Sequence, residues 1–209
     1  MKKEEFQALL QQHAEELAQI KYSAHSLHAS VNQTYDRVHP YGYHLEMVAD
    51  LVRRYAHSVC ADEADLLPLM FGAYFHDSIE DARQTYNDTL RTARQYMSED
   101  QALLAAEIVY ALTNDKGRTR DERAGDRYYQ GIRSTPYAPL VKLADRLANA
   151  TYSFRTISSA NDFGGVNTRM KEVYRREMPH FLSAITVTDT DDPRYQLPSE
   201  MVEAIEALL

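Results

Sequence analysis

Apolar residues recur at helical spacing along most of this chain, and this pattern constrains the fold more than any other feature. An amphipathic helix repeats its apolar positions every three or four residues, whereas a half-buried strand alternates apolar and polar side chains. Strand-like alternation is nearly absent here. The clearest helical runs are Phe6, Leu9, Leu10 and Leu17; Leu45, Val48, Ala49 and Val52; Leu103, Leu104, Ile108 and Leu112; and Leu140, Leu143 and Leu147. The pattern predicts an all-α fold.

Glycine and proline mark the ends of helices but do not divide the chain into domains. The 209 residues include only seven glycines and seven prolines, with no repeat, low-complexity tract or Ser/Gly linker. A chain of this length suits one compact domain. We therefore predict a single domain over residues 1–209, folded as an irregular helical bundle. Its predicted helices cover residues 2–22, 43–59, 66–77, 99–113, 136–154, 166–186 and 199–208.

Charge and cysteine content exclude several classes of protein. The formal net charge of −8 argues against binding to a nucleic acid polymer. No apolar run approaches the roughly 20 residues that span a bilayer, and the N-terminal segment lacks the apolar core of a signal peptide. The single Cys60 cannot form an internal disulfide, which favours a cytoplasmic protein. We expect no membrane partner and leave self-association as a homo-oligomer open.

The dipeptide His76-Asp77 follows an apolar run at residues 71–75 that should be buried. A histidine and an aspartate in such a place are costly without partners. One explanation is a core histidine hydrogen-bonded to its own neighbour at a helix end. The other is a pair of metal ligands.

Two further residues favour the metal. Asp145 interrupts the apolar stripe of its predicted helix. It could instead be the ion-pair partner of Lys142 or Arg146, although adjacent positions on a helix face apart. His44 lies just inside another predicted helix, where an imidazole can reach a neighbouring helix.

Two imidazoles and two carboxylates offer mixed nitrogen and oxygen ligation that leaves positions open for water. This donor set suits Mn²⁺, Fe²⁺ or Zn²⁺ in a catalytic site, and the absence of cysteine ligands argues against a structural zinc site. The sequence therefore predicts a divalent metal held by His44, His76, Asp77 and Asp145.

Other polar residues lie at helical spacing from these predicted ligands. Glu80 and Asp81 stand one turn beyond the His-Asp pair, where a carboxylate could orient or deprotonate water, so both are candidate catalytic residues. Asn149 shares a helix face with Asp145. Its amide could hold a ligand, contact a substrate oxygen, or serve only as a structural amide.

Four motifs carry a resemblance to a known family: PYGYH at 40–44, HDSIED at 76–81, LTNDK at 112–116 and VKLADRLAN at 141–149. The pattern H…HD…D resembles the HD superfamily of α-helical, metal-dependent phosphohydrolases. Within it, the motifs resemble the RelA/SpoT-type and small stand-alone (p)ppGpp hydrolases over about residues 20–185. The resemblance implies removal of the 3′-pyrophosphate of (p)ppGpp in a Mn²⁺-dependent reaction, with Glu80 and Asp81 activating water and Asn149 contacting the nucleotide.

The resemblance also implies substrate contacts. The family uses bases in the region of loop 115–127, which makes Lys116 and Arg120 candidates, although a loop of mixed charge is usually a solvated surface. Tyr174 falls where the family places a tyrosine near the nucleoside, and a buried core aromatic is the alternative. Ahead of PYGYH the relatives carry neighbouring bases that hold the guanine nucleotide, whereas Arg37 is the only base here besides histidines.

Three other functions compete with this one. An HD enzyme acting on another phosphorylated nucleotide, such as NADPH or a deoxynucleotide, would need the same ligands. A regulatory module without turnover would not need a full ligand set together with Glu80 and Asp81. A purely structural bundle would have to bury four ionisable groups without an ion, which is costly.

Overall fold

The all-α prediction is confirmed. The computed structural model describes residues 1–114, 117–156 and 166–208, with the backbone alone at residues 120, 121, 156, 166 and 167. A short antiparallel hairpin of β1 (Thr34–Tyr35) and β2 (His39–Pro40) precedes the third helix. The helices are α1 (Lys3–Gln12), α2 (Ala14–Ser30), α3 (Gly42–Tyr55), α4 (Leu66–Phe75), α5 (Ser78–Asp81), α6 (Tyr86–Ala93), α7 (Glu99–Leu112), α8 (Arg120–Arg123), α9 (Asp126–Arg133), α10 (Ala138–Thr156), α11 (Val166–Ile185) and α12 (Ser199–Leu208).

The structure differs from the predicted helices at several places. The first predicted helix is two helices, because the chain leaves helical geometry at His13 and α2 then continues to Ser30. The short helices α6 and α9 were not predicted, since eight residues give too few apolar repeats to recognise. A signal for α6 was present: Thr85 and Asp88 form a reciprocal capping box at its start.

Helix α4 forms the centre of the core and determines where the His-Asp pair lies. Every residue of α4 is buried, and the helix packs against α2, α3 and α7. It ends at Phe75, two residues earlier than predicted, so His76 and Asp77 follow its last turn. The pair is thereby held at the end of a buried helix.

The close approach of α4 to α7 depends on Gly72. A Cβ atom added there would lie 2.5 Å from Cγ2 of Ile108, a side chain that is β-branched and fully buried. We expect Gly72→Ala to lower the free energy of unfolding by about 1–3 kcal/mol, because overpacking outweighs the gain in helix propensity. Urea denaturation followed by circular dichroism measures this.

Gly131 in α9 provides the matched control for that substitution, because an added Cβ meets nothing within 4 Å. Gly131→Ala should raise the free energy of unfolding by about 0.5–1 kcal/mol through helix propensity alone. Equal effects at the two glycines would show that the contact between α4 and α7 is not tight.

Helix α10 joins the remaining elements. It packs against α3, α11 and α12 and also touches α4, α7 and α9. His44 is in the first turn of α3 and Asp145 is in the middle of α10, so the contact between these helices brings two predicted ligands together. None of the helices in the described ranges is both long enough and apolar enough for a membrane span.

Candidate metal centre

Four predicted ligands meet where α3, α10 and the end of α4 converge. We call His44, His76, Asp77 and Asp145 the donor cluster. Nε2 of His44 lies 3.2 Å from Nε2 of His76 and 3.4 Å from Oδ1 of Asp145. Oδ2 of Asp77 lies 2.9 Å from Nε2 of His76 and 3.6 Å from Nε2 of His44. The donor atoms of His44, His76 and Asp145 all fall within 4.8 Å of one another.

The two oxygens of the Asp145 carboxylate have separate partners. Oδ2 accepts a hydrogen bond from Nζ of Lys142 at 3.0 Å, so the alternative of an intrahelical ion pair is also present. Oδ1 accepts one from Nδ2 of Asn149 at 2.6 Å and faces the imidazoles. The ion pair and the metal site are therefore compatible, because each uses a different oxygen.

Hydrogen bonding determines which nitrogen of His76 can bind a cation. Its Nδ1 lies 2.9 Å from the carbonyl oxygen of Ala73, an atom that only accepts. Nδ1 therefore carries a proton, and in the neutral ring Nε2 is the lone-pair nitrogen. That nitrogen faces Oδ2 of Asp77 and lies 3.2 Å from Nε2 of His44, so in the neutral ring two acceptors, Nε2 of His76 and Oδ2 of Asp77, face each other in the cluster.

The pKa shifts show that the cluster requires positive charge. Burial acts to lower the pKa of His44, but Asp145 and Asp77 raise it to about 9. The pKa of His76 is raised as well, because the attraction of Asp77 outweighs burial. The pKa of Asp77 lies well below its ordinary value, since the imidazoles outweigh the effect of burial. The cluster takes up this charge either as protons or as a divalent cation, and its nitrogen and oxygen donors fit the cation.

The two candidate catalytic carboxylates are held differently. Asp81 accepts a hydrogen bond from Oη of Tyr41 at 2.9 Å, and burial together with the charge of Asp77 raises its pKa to about 6. Glu80 is exposed, and its two oxygens accept from Nδ2 of Asn114 at 3.0 and 2.8 Å. Asp81 is thus the carboxylate adjacent to the donor cluster, and Glu80 is oriented from the end of α7.

A cavity of about 470 Å³ opens onto the cluster. Its lining includes three members of the donor cluster, His44, Asp77 and Asp145, together with both Glu80 and Asp81. Cavities of about 300–1,000 Å³ are typical of small-molecule sites. The volume of this cavity lies within that range.

The comparison with protein-family models agrees with this geometry. The family described as HD domain matches residues 41–150, just over half of the chain. The chain belongs to the HD-domain family. Family membership and the clustered His-His-Asp donors make this HD domain a metal-dependent hydrolase. A search among curated proteins gave no match.

Asn149 and Tyr174, two predicted substrate contacts, line the cavity of the HD domain. Both amide hydrogen bonds from Nδ2 of Asn149 go to Asp145, and its Oδ1 accepts from Tyr35 at 2.9 Å, so this amide orients a donor of the cluster. The ring of Tyr174 lies 5.1 Å from the guanidinium carbon of Arg146. A direct contact of either residue with substrate remains a prediction.

The remaining predicted substrate contacts are Arg37, Lys116 and Arg120. Arg37 is exposed in the turn between β1 and β2 and is not part of the cavity lining. Lys116 and the side chain of Arg120 fall outside the described residues.

Two tyrosines of the site were not predicted. Tyr41 donates to Asp77 at 2.5 Å and to Asp81 at 2.9 Å, and Tyr35 stacks on His44 with ring centroids 5.1 Å apart and planes 8° apart. Helical periodicity could not reveal either residue, because Tyr35 lies in β1 and Tyr41 lies between β2 and α3. In the sequence, the only indication of a role for Tyr41 was its position within the motif PYGYH.

His28 gives the HD domain a pH-dependent stability. Burial lowers its pKa from 6.5 to about 4, although Asp77 acts in the opposite direction. Because the unfolded chain binds this proton more readily, His28 contributes stability above pH 6.5 that is lost as the pH falls toward 4. The full loss amounts to about 3 kcal/mol.

In metal-free protein, His28→Phe should flatten the fall in the free energy of unfolding between pH 7 and pH 4, measured by urea denaturation. An unchanged slope would contradict this assignment.

Proposed function

We propose that this HD domain hydrolyses the 3′-pyrophosphate of (p)ppGpp, giving GDP or GTP and pyrophosphate, with Mn²⁺ as the metal. The observation that carries the proposal is that all four motifs of the resemblance contribute to one cavity. PYGYH supplies Tyr41 and His44; HDSIED supplies Asp77, Glu80 and Asp81; LTNDK supplies Asn114; and VKLADRLAN supplies Lys142, Asp145 and Asn149.

The residues of the cavity have distinct roles in this reaction. When bound, a divalent cation supplies Lewis acidity that lowers the pKa of water and polarises a phosphoryl oxygen. Asp81, with a pKa raised to about 6, is suited to accept a proton near neutral pH. Tyr41 orients Asp81, and Asn114 orients Glu80 through two hydrogen bonds.

Part of the cavity lining suits a nucleoside. It includes the aromatic residues Tyr129, Tyr174 and Phe181 and the buried Arg146. The guanidinium carbon of Arg146 lies 4.4 Å from the ring centre of Phe181. Aromatic faces and a planar cation are the groups on which a nucleobase stacks.

One observation favours the alternative substrate class of other phosphorylated nucleotides, such as NADPH or a deoxynucleotide. Two of the cations that line the cavity are already paired: Lys142 with Asp145 at 3.0 Å, and Arg146 with Glu177 at 2.8 Å. Paired cations attract additional phosphates weakly. A substrate that places fewer phosphates near these cations would need less positive charge from the protein to neutralise it.

Product analysis distinguishes the two substrate classes. Protein stripped of metal by a chelator is incubated with ppGpp, NADPH or dGTP, with and without Mn²⁺, and the products are resolved by ion-exchange chromatography. The proposal predicts Mn²⁺-dependent formation of GDP and pyrophosphate from ppGpp. Turnover of NADPH or dGTP while ppGpp remains intact would replace the alarmone with the alternative substrate class.

A further inference from the structure

Tyr41 connects the donor cluster to the candidate base. Its ring is buried, and its hydroxyl lies 2.5 Å from Oδ2 of Asp77 and 2.9 Å from Oδ2 of Asp81. Asp77 is a predicted ligand, and Asp81 is the carboxylate adjacent to the cluster. A single phenol group therefore contacts both.

The geometry of this contact orients the two carboxylates relative to each other. The single proton of the phenol lies between two carboxylate oxygens and can be shared by them, so the hydroxyl offsets the repulsion that the carboxylates would otherwise exert on each other. Removing the oxygen leaves two negative groups facing each other in a partly buried place and takes away the hydrogen bond from Tyr41 to each of them. The backbone already places Asp77 and Asp81 one helical turn apart, through a hydrogen bond from N of Asp81 to O of Asp77 at 2.8 Å, so the hydroxyl fixes the orientation of their carboxylates.

The ring of Tyr41 is itself held in place by His28. The two rings stack with centroids 4.6 Å apart and planes 12° apart, and His28 is 1% exposed. Neither ring nitrogen of His28 has a hydrogen-bond partner among the described residues. His28 therefore contacts Tyr41 through the face of its imidazole ring, and this stacking supports the orientation of the phenol.

We propose that Tyr41 is a positioning residue that holds the ligand Asp77 and the base Asp81 in register, with the ring of His28 supporting it. The part that concerns Asp81 rests on the proposed hydrolase function. The part that concerns Asp77 rests only on the donor cluster, and it is measured through metal binding without any substrate.

Tyr41→Phe removes the bridging oxygen and keeps the stacked ring. Loss of a group that orients a metal ligand typically costs 10–100-fold in metal affinity or activity. We expect the dissociation constant for Mn²⁺, measured by isothermal titration calorimetry, to rise about 10–100-fold. At saturating Mn²⁺, kcat for ppGpp should fall by a similar factor while KM changes by less than about 2-fold, because Asp81 acts on the reaction and not on substrate binding.

Tyr137→Phe is the matched control. Tyr137 is fully buried, and its hydroxyl also donates to a carboxylate, Asp65, at 2.5 Å, but it does not line the cavity. This variant should bind Mn²⁺ and turn over substrate as the parent protein does. His28→Ala, which removes the stacked ring, should weaken Mn²⁺ binding in the same direction as Tyr41→Phe.

These measurements separate the positioning role from the hydrolase function. If the parent protein leaves ppGpp intact, the hydrolase proposal fails, while the Mn²⁺ affinities of the Tyr41 and Tyr137 variants still decide the role at Asp77. Parental Mn²⁺ affinity in Tyr41→Phe would overturn the positioning role. An equal loss of affinity in Tyr137→Phe would overturn it too, because the effect would then be general to buried tyrosines.

Discussion

Replacing Asp77 with Ala lowers kcat/KM for Mn²⁺-dependent hydrolysis by at least about 10²–10³-fold, the size of effect expected when a group that stabilises the transition state through charge is lost. Asp77 places a carboxylate oxygen 2.9 Å from Nε2 of His76 and accepts the hydroxyl hydrogen of Tyr41. Removing this carboxylate takes away one of the four predicted metal ligands and leaves the donor cluster with less negative charge to attract a cation. Steady-state kinetics over a range of Mn²⁺ concentrations measure the loss.

Asp50→Ala is the control for this substitution. Asp50 also lies on a helix and pairs with a base, Arg53, at 2.6 Å, but its side chain is 70% exposed and does not line the cavity. The Asp50→Ala variant should have the same kcat/KM as the parent protein. Parental activity in Asp77→Ala would remove Asp77 from the reaction, and restoration of that variant by excess Mn²⁺ alone would limit its role to metal affinity.

If Mn²⁺ is the metal, as proposed, we expect it to raise the melting temperature of the protein by roughly 5–10 °C when its concentration is about 100 times the dissociation constant. Binding to the folded state alone contributes about 2.7 kcal/mol under these conditions, and each kcal/mol shifts the melting temperature of a chain of this size by roughly 2–4 °C. The physical source of the shift is the close approach of Nε2 of neutral His76 and Oδ2 of Asp77 in the donor cluster, since both are acceptors that a cation satisfies together. Differential scanning calorimetry measures it.

Asp145→Ala tests whether this stabilisation arises at the donor cluster. Asp145 presents one oxygen to the imidazoles, so the variant should lose most of the Mn²⁺-dependent shift. A chelator should reverse the shift in the parent protein. A shift of equal size in the variant would place the stabilising ion at another site.

The fold class, and the polar residues that the fold brings together, could be predicted from the sequence for clear physical reasons. Helical periodicity reports burial of one helix face, and it is strongest in long helices such as α3, α7 and α10. The candidate ligands were recognisable because a charged group such as Asp145 conflicts with an apolar stripe. Short helices such as α6 and α9 carried too little apolar periodicity, and too few charged residues within an apolar stripe, to be predicted.

The contacts that organise the site could not be predicted, because they join residues that are distant in the chain. Tyr41 and Asp77 are 36 residues apart, and Tyr35 and Asn149 are 114 residues apart. Asp145 illustrates a second limit. Its ion pair with Lys142 and its place in the donor cluster were treated as competing explanations, but a carboxylate has two oxygens and the structure uses one for each.

The most direct test of the metal centre is anomalous diffraction at the manganese absorption edge from crystals of Mn²⁺-loaded protein. The predicted result is a single strong peak bounded by the four side chains of the donor cluster, at the open end of the cavity that Asp81 lines. No peak between those side chains in fully loaded protein, or the strongest peak at another place, would contradict the assignment of His44, His76, Asp77 and Asp145 as the ligands.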